Sequence, residues 1–358
     1  MKKILAIFFV WRYALLIFTF FGVAFLPRLG NLNYWHAWAN WDGGHYLGIA
    51  EIGYRYWFQF AFFPLYPVLI KIFAPVFAGN YLAAGHFISN LATLFSIFYL
   101  YRLVSADFTP KIATRTIYYF LLFPTAFFLV SIYTESLFFL TVVAAFYYAR
   151  KAEWNKVALI SAAGSAIRPF GILLFPVLIL EYFSSIDFKL EKVKKDFLFL
   201  LLSPLGFLSY LAYLATTQGS PFLFLTAQDF WQRTQITFPL IPVWRSYLEV
   251  AGLVNFATPA YFLRLLELAS VGVFVALLIF VLGKVRVSYI VFSFLIILLT
   301  ATTGSLVSIP RLVLMLFPAF IGLSILGENP RFDFFLITIF TLFLGILSIL
   351  FLAGFWVA

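Results

Sequence analysis

Asp42 opens the most polar short run of this chain, Trp41-Asp42-Gly43-Gly44-His45-Tyr46, which continues to Glu51-Ile52-Gly53-Tyr54. A carboxylate so placed can take a proton from a hydroxyl as that oxygen attacks an electrophilic carbon. The paired glycines leave room for a substrate close to the backbone. A plainer reading stands beside this one. Asp before Gly-Gly is a good turn former, and Asp42 could cap a helix beginning near Gly43 through the amide of Gly44 or His45. If the segment is helical, His45 falls beside Asp42, where it orients the carboxylate or a substrate, or simply packs at an interface. Glu51 then faces the opposite way.

Three further charged residues invite a chemical reading. Glu135 lies in Ser131-Ile132-Tyr133-Thr134-Glu135-Ser136, a turn otherwise rich in hydroxyls. A lone carboxylate in a chain this apolar is costly unless it is paired or used. Tyr133 shares the turn and joins the candidate substrate-binding residues. Arg168, in Arg168-Pro169-Phe170-Gly171, interrupts an apolar run. Its guanidinium needs an anion, and a lipid phosphate, Asp42 or Glu135 would each serve. Arg311 follows Pro310 and can do the same work, or snorkel to headgroups. Arg264 and Glu267, three residues apart, share a helix face and read as a structural pair. Trp35, Trp38, Trp41 and Trp57 could stack on a sugar or belong to an interfacial belt. With three histidines and no ligand spacing, no metal site is read; a divalent ion beside Asp42 and Glu135 stays open. No Gly-rich phosphate loop is present, so no nucleotide cofactor is expected.

The elements that must hold these residues are membrane helices. The chain is 64% hydrophobic and 11% charged over 358 residues, and apolar runs of helical length recur throughout. A β-barrel would show short alternating segments instead. The net charge of +10 resides in clusters between apolar runs, the pattern of cytoplasmic loops rather than of nucleic-acid binding. No cysteine is present, which excludes disulfides and thiolate metal sites. Lys2 and Lys3 place the N-terminus inside, and the first apolar run reads as a retained helix ending at Leu26-Pro27. The loop after it, with Arg28, Asn31 and Asp42, is then outside.

Residues 62–78 are long enough to be weighed as a crossing. Crossing there would put Arg102, Lys111 and Arg115 outside. Two prolines and Lys71 also favour a helix lying on the outer interface. The sequence therefore predicts an all-α polytopic membrane protein of about 11 crossings with an outer juxtamembrane helix. Among the crossings are 116–131 outward, a short-armed hairpin with Arg168 at its outer tip, and 312–326. Outer loops fall at about 28–80, 132–135, 218–258 and 304–311. No linker or repeat divides residues 1–358, which read as one domain.

A family resemblance rests on several of these motifs in order. Trp41-Asp42-x-x-His45, Ile49-Ala50-x-x-Gly53-Tyr54 and Phe62-Phe63-Pro64-Leu65-Tyr66-Pro67 resemble the first loop of the PIG-V mannosyltransferases. Tyr133-Thr134-Glu135-Ser136-Leu137-Phe138 is similar to that family's Tyr-Ser-Glu-Ser-Leu-Phe. Arg168-Pro169-Phe170-Gly171 lies where the family has an Arg and a Gly-containing turn. Ser308-Ile309-Pro310-Arg311 with Phe317-Pro318 resembles its late Pro-Arg-Tyr and Phe-Pro motif, with Leu312 in place of Tyr.

The resemblance implies a GT-C bundle and an inverting glycosyltransferase. Its donor would be a polyprenyl-phosphate sugar, with mannose the sugar the resemblance implies, and its acceptor a hydroxyl of a glycan, glycolipid or protein at the outer face. It carries Asp42 over as base and Glu135 as second acid. His45, Tyr133, Arg168 and Arg311 are the substrate-binding candidates. The competing readings are a lipid or solute transporter without chemistry, and an accessory subunit that binds lipid.

Overall fold

The computed structural model describes residues 2–25, 33–231, 233, 236–252 and 258–357. Arg28, Asn31 and the expected helix end at Leu26-Pro27 lie outside these residues. All regular elements among the described residues are helical. The first half of the chain contains α1 (Lys2–Phe25), α2 (Asp42–Ile52), α3 (Leu65–Phe73), α4 (Tyr81–Val104), α5 (Pro110–Leu122), α6 (Glu135–Ala149), α7 (Trp154–Ile167) and α8 (Leu174–Ser185). The second half contains α9 (Leu205–Gln218), the short α10 (Leu223–Thr226), α11 (Leu240–Gly252), α12 (Pro259–Phe280), α13 (Val287–Ala301), the short α14 (Ile309–Leu312), α15 (Phe317–Leu326) and α16 (Pro330–Leu352).

Five helical stretches have the length and apolarity of a crossing: Lys2–Phe25, Tyr81–Val104, Lys195–Gln218, Ala260–Phe280 and Pro330–Leu352. The pair Ile309–Met315 and Phe317–Leu326, bent by 82°, makes a sixth if counted as one broken span. Glu135–Ala149, Pro169–Ser185 and Val287–Ala301 are shorter apolar helices, and α6 and α13 have only 15 residues each. They rise roughly 22 Å against a hydrocarbon core of about 30 Å. By length and composition the described helices give five or six full crossings, where about 11 were expected with the short hairpin arms counted.

Two segments depart from the expected straight helices. The segment 116–131 breaks because Pro124 forces Phe123 into an extended conformation (φ −54°, ψ 140°), so α5 stops at Leu122. The segment 312–326 bends at Leu316, just before Pro318 in the first turn of α15. The region 62–78 forms α3 followed by a 3₁₀ turn at Ala74–Phe77. Nine α-helical residues rise about 14 Å, too little to cross a bilayer.

The core is a bundle in which α6 packs on α4 and α7, α5 on α15, and α16 on α1. Its centre is lined by Phe120, Phe127, Phe139, Phe146 and Phe317, all fully buried. At one end, charged helix termini are tied together by Arg150–Asp107 (2.5 Å), Arg286–Glu181 (2.6 Å) and Arg115–Asp333 (3.5 Å). At the other end, α2, α3 and the starts of α4 and α6 converge. Asn80 caps α4 by accepting from the Ala83 amide at 3.0 Å. Tyr66 anchors α3 on α4 through the Ser89 hydroxyl at 2.7 Å.

Candidate active site

The segment entering Asp42 is held at several points. The Ile132 amide donates to the Trp38 carbonyl (2.9 Å), which binds the first loop to the turn before α6. The Asn40 amide side chain donates to the Phe351 carbonyl (2.7 Å), and the Tyr133 hydroxyl donates to the Asn40 carbonyl (2.9 Å). Trp41 then takes φ 58° and ψ −120°, a conformation that costs a bulky residue on the order of 1–3 kcal/mol. Such strain persists only where neighbours over-determine it. Here it turns the chain so that Asp42 is the first residue of α2.

The capping role weighed for Asp42 is not what the structure has. Trp41 is the N-cap residue, and no side-chain cap bond forms. The paired glycines also serve differently from the expected room for a substrate. A Cβ on Gly43 would meet the Ile132 carbonyl oxygen at 3.2 Å, so this glycine permits helix-to-loop packing. Gly44 has only an ordinary contact, 3.7 Å from the Ala39 carbonyl oxygen.

Glu135 is likewise in the first turn of its helix, α6, where backbone amides favour an anion. It is 0% exposed. Arg168 Nη2 donates to Glu135 Oε1 at 2.7 Å, and Arg311 Nε lies 3.7 Å from the same oxygen. Arg311 Nη1 lies 2.7 Å from Asp42 Oδ2. That contact is close but not well aimed, since the same nitrogen has no aligned acceptor; we describe it as an ion pair. The order Asp42–Arg311–Glu135–Arg168 therefore links four chain segments through ion pairs and one hydrogen bond.

Each arginine is positioned by local backbone. Arg168 is extended (φ −150°, ψ 151°), as a residue before proline prefers, and so ends α7. The turn after it presses on α7: a Cβ on Gly171 would lie 2.2 Å from the Gly164 carbonyl oxygen. Gly171→Ala is accordingly expected to push the Arg168 turn off α7 and cost about 1–3 kcal/mol, as overpacking does, with activity falling alongside. A lowered unfolding midpoint in detergent would check this, and an unchanged midpoint would refute it. Arg311 follows Ser308, which takes φ 72°, and Pro310, whose carbonyl accepts from the Thr125 hydroxyl at 2.6 Å. Ser308→Gly is expected to stabilise the protein by about 1 kcal/mol by removing a left-handed side chain, read as a raised midpoint in the same assay.

Asp42, Arg168 and Arg311 line one cavity of about 110 Å³, together with Arg233, Tyr46 and Trp356 among others. Trp231 and Gln228 from the long second loop form another wall. Glu135 is not part of the lining and sits behind Arg168 and Arg311. Tyr133 is also removed from it; its ring lies beneath Arg311, 5.4 Å from the guanidinium carbon. His45 does not face the cavity either. Its ring packs among Phe58, Phe62 and Trp231, with centroids 5.5, 5.2 and 6.2 Å away. None of Trp35, Trp38, Trp41 and Trp57 lines the cavity; Trp231 and Trp356 do.

The third guanidinium is that of Arg233, in the loop between α10 and α11. It donates from Nη2 to the Val307 carbonyl at 2.8 Å. Burial, followed by the Arg311 charge, pushes it down to about 10, which leaves it a cation at neutral pH. Four buried guanidinium nitrogens around the cavity have no aligned acceptor: Arg168 Nη1, Arg233 Nε, and Arg311 Nε and Nη1. Buried donors are rarely left so, and a cluster of them marks a place for an anion. Both carboxylates at the cavity are paired with arginines, Asp42 with Arg311 and Glu135 with Arg168. Among the described residues, no three His, Asp or Glu side chains group as metal ligands do.

Burial holds His45 below its ordinary range, against the opposing pull of Asp42. The fold therefore favours neutral His45. That contribution is present above the unfolded value of about 6.5 and is lost as pH falls through it. His45→Phe is expected to flatten the fall in unfolding midpoint between neutral and mildly acidic pH. Identical pH profiles for the two proteins would contradict the assignment.

The sequence matches the family described as Mannosyltransferase (PIG-V) over residues 23–239. No curated protein matches it. Among solved structures, the oligosaccharyltransferase of Archaeoglobus fulgidus in complex with Zn and sulfate is similar with a TM-score of 0.50 and 14% identity, over 96% of this chain and 53% of that one. The same enzyme tethered to an acceptor peptide containing the NVT sequon is similar with a TM-score of 0.52 and 13% identity, over 97% and 55%. The chain thus spans about half the length of those structures, and at such identity the likeness is one of fold.

Proposed function

This chain belongs to the PIG-V mannosyltransferase family and is a multi-pass membrane glycosyltransferase with a GT-C fold, and from that premise we propose that it transfers mannose from a polyprenyl-phosphate donor to an acceptor hydroxyl, with inversion. Asp42 takes the hydroxyl proton as the oxygen attacks the anomeric carbon. The bond from that carbon to the phosphate oxygen breaks, and the phosphate leaves with increased negative charge. Arg168, Arg233 and Arg311 receive that charge, which is where preorganised donors contribute most. Glu135 fixes the spacing of Arg168 and Arg311 rather than touching substrate. The observation that carries this reading is the single cavity in which Asp42 meets three guanidiniums with unfilled donors.

Orientation follows from charge. Lys2, Lys3, Arg102, Arg115, Arg150 and Arg286 gather at the helix ends remote from Asp42, which supports a cytoplasmic N-terminus and an extracytoplasmic site. Purified protein given radiolabelled polyprenyl-phosphate mannose and a hydroxyl acceptor in EDTA should transfer label without any nucleotide sugar. Persistence in EDTA is the expected result, since Asp42 and Glu135 are each paired with an arginine. Label movement across vesicles without a new glycosidic bond would favour a transporter and overturn the proposal.

A further inference from the structure

A second cleft of about 720 Å³ lies between α1 and α4, with Asn33, Trp35 and His36 of the first loop along one side. It runs down α4 from Asn80 to Leu94, roughly 21 Å along the helix axis. Its polar groups, Asn80, His86 and Asn90 among them, lie from the start of α4 to Asn90, interleaved with Leu82 and Phe87; beyond Asn90 the lining is apolar, with Phe8, Leu91 and Leu94. Phe87, Leu91 and Phe95 of α4 and Phe9, Val10 and Tyr13 of α1 are exposed, so both helices present apolar flanks to the bilayer.

Arg12 projects into this cleft from the middle of α1, itself a stretch with the length of a crossing. A cation there is expensive and normally finds a counter-ion. Arg12 has none among the described residues. Its Nε donates to Asn90 Oδ1 at 2.8 Å, and its guanidinium lies 4.6 Å from the Trp38 ring centroid. Nη1 is buried without a partner, and so is Nδ1 of the neighbouring His86. His86 Nε2 is engaged with the Trp35 carbonyl at 3.1 Å, and Asn90 donates to the His86 carbonyl at 2.7 Å. No Asp or Glu lines the cleft.

An uncompensated guanidinium with an unfilled nitrogen and an apolar trough continuing along the helix describe an amphipathic anion. We propose that this cleft binds an anionic phospholipid of the surrounding bilayer, with its phosphate at Arg12 and Asn90 and an acyl chain laid toward Phe8 and Leu94. The site is separate from the cavity at Asp42, and its occupant is a membrane lipid rather than the sugar donor. Because Trp38 stacks on Arg12 and its carbonyl holds Ile132, the lipid would also brace the loop that leads into Asp42.

The test is photolabelling in nanodiscs with phosphatidylglycerol or phosphatidylcholine, each carrying a diazirine in its acyl chain. Phosphatidylglycerol should label peptides from α1 around Phe8 and from α4 around Leu91–Leu94. Phosphatidylcholine should label them about tenfold less, because its choline cation offsets the phosphate charge and is repelled by the Arg12 guanidinium. Arg12→Gln should erase the preference, while Arg12→Lys should keep most of it. Inorganic phosphate should not compete. Equal labelling by the two lipids in wild-type protein, a preference that survives Arg12→Gln, or competition by inorganic phosphate would each overturn the proposal.

Discussion

Asp42→Asn is expected to lower transfer by about 10²–10⁴-fold while the protein stays folded and inserted, because an amide cannot accept the acceptor's proton. The substitution keeps the shape of the side chain and its contact distance to Arg311, so the backbone turn at Trp41 should survive. It also removes the negative partner of Arg311, leaving that guanidinium freer for an incoming phosphate. Donor affinity should therefore hold or rise as turnover collapses. This split distinguishes a base from a residue that only builds the site, whose loss would weaken binding and turnover together. Full activity in a monodisperse Asp42→Asn preparation would end the assignment.

Glu135→Gln should damage the protein differently. Glu135 is wholly buried and faces both Arg168 and Arg311. Removing its charge leaves two buried cations with Asp42 as their remaining nearby anion. Breaking a buried ion pair on one side costs about 3–5 kcal/mol. The expected result is a large drop in unfolding midpoint together with loss of transfer. Added anionic donor lipid should restore part of the midpoint, since it returns negative charge to the same guanidiniums. A normal midpoint with abolished transfer would instead make Glu135 a direct participant in chemistry.

Asp42, Glu135, Arg168 and Arg311 were legible because a chain with so few charges must account for each one. Arg168 had a carboxylate as one possible partner, and the fold joins it to Glu135; Arg311, read as a phosphate contact or a snorkelling residue, pairs with Asp42. The kinked helices were less legible: Pro124 and Pro318 lie inside apolar runs whose hydropathy alone reads as continuous spans. His45 and Tyr46 show a finer limit. Three and four residues on from Asp42, both flank its face of α2, and only packing decides between them. The aromatic cluster of Phe58, Phe62 and Trp231 takes His45, so Tyr46 lines the cavity. Arg233 and Trp356 had no signal of spacing, because they arrive from a long loop and from the far end of the chain. Their presence depends on closure of the bundle, which no local pattern encodes.

The most direct test is a cryo-electron microscopy structure of the Asp42→Asn protein, carried by a bound antibody fragment, with intact polyprenyl-phosphate mannose. The account predicts the phosphate within hydrogen-bonding distance of Arg168, Arg233 and Arg311, with the anomeric carbon open to the side where residue 42 stands. A phosphate bound elsewhere, or a sugar whose anomeric carbon faces away from residue 42, would contradict it.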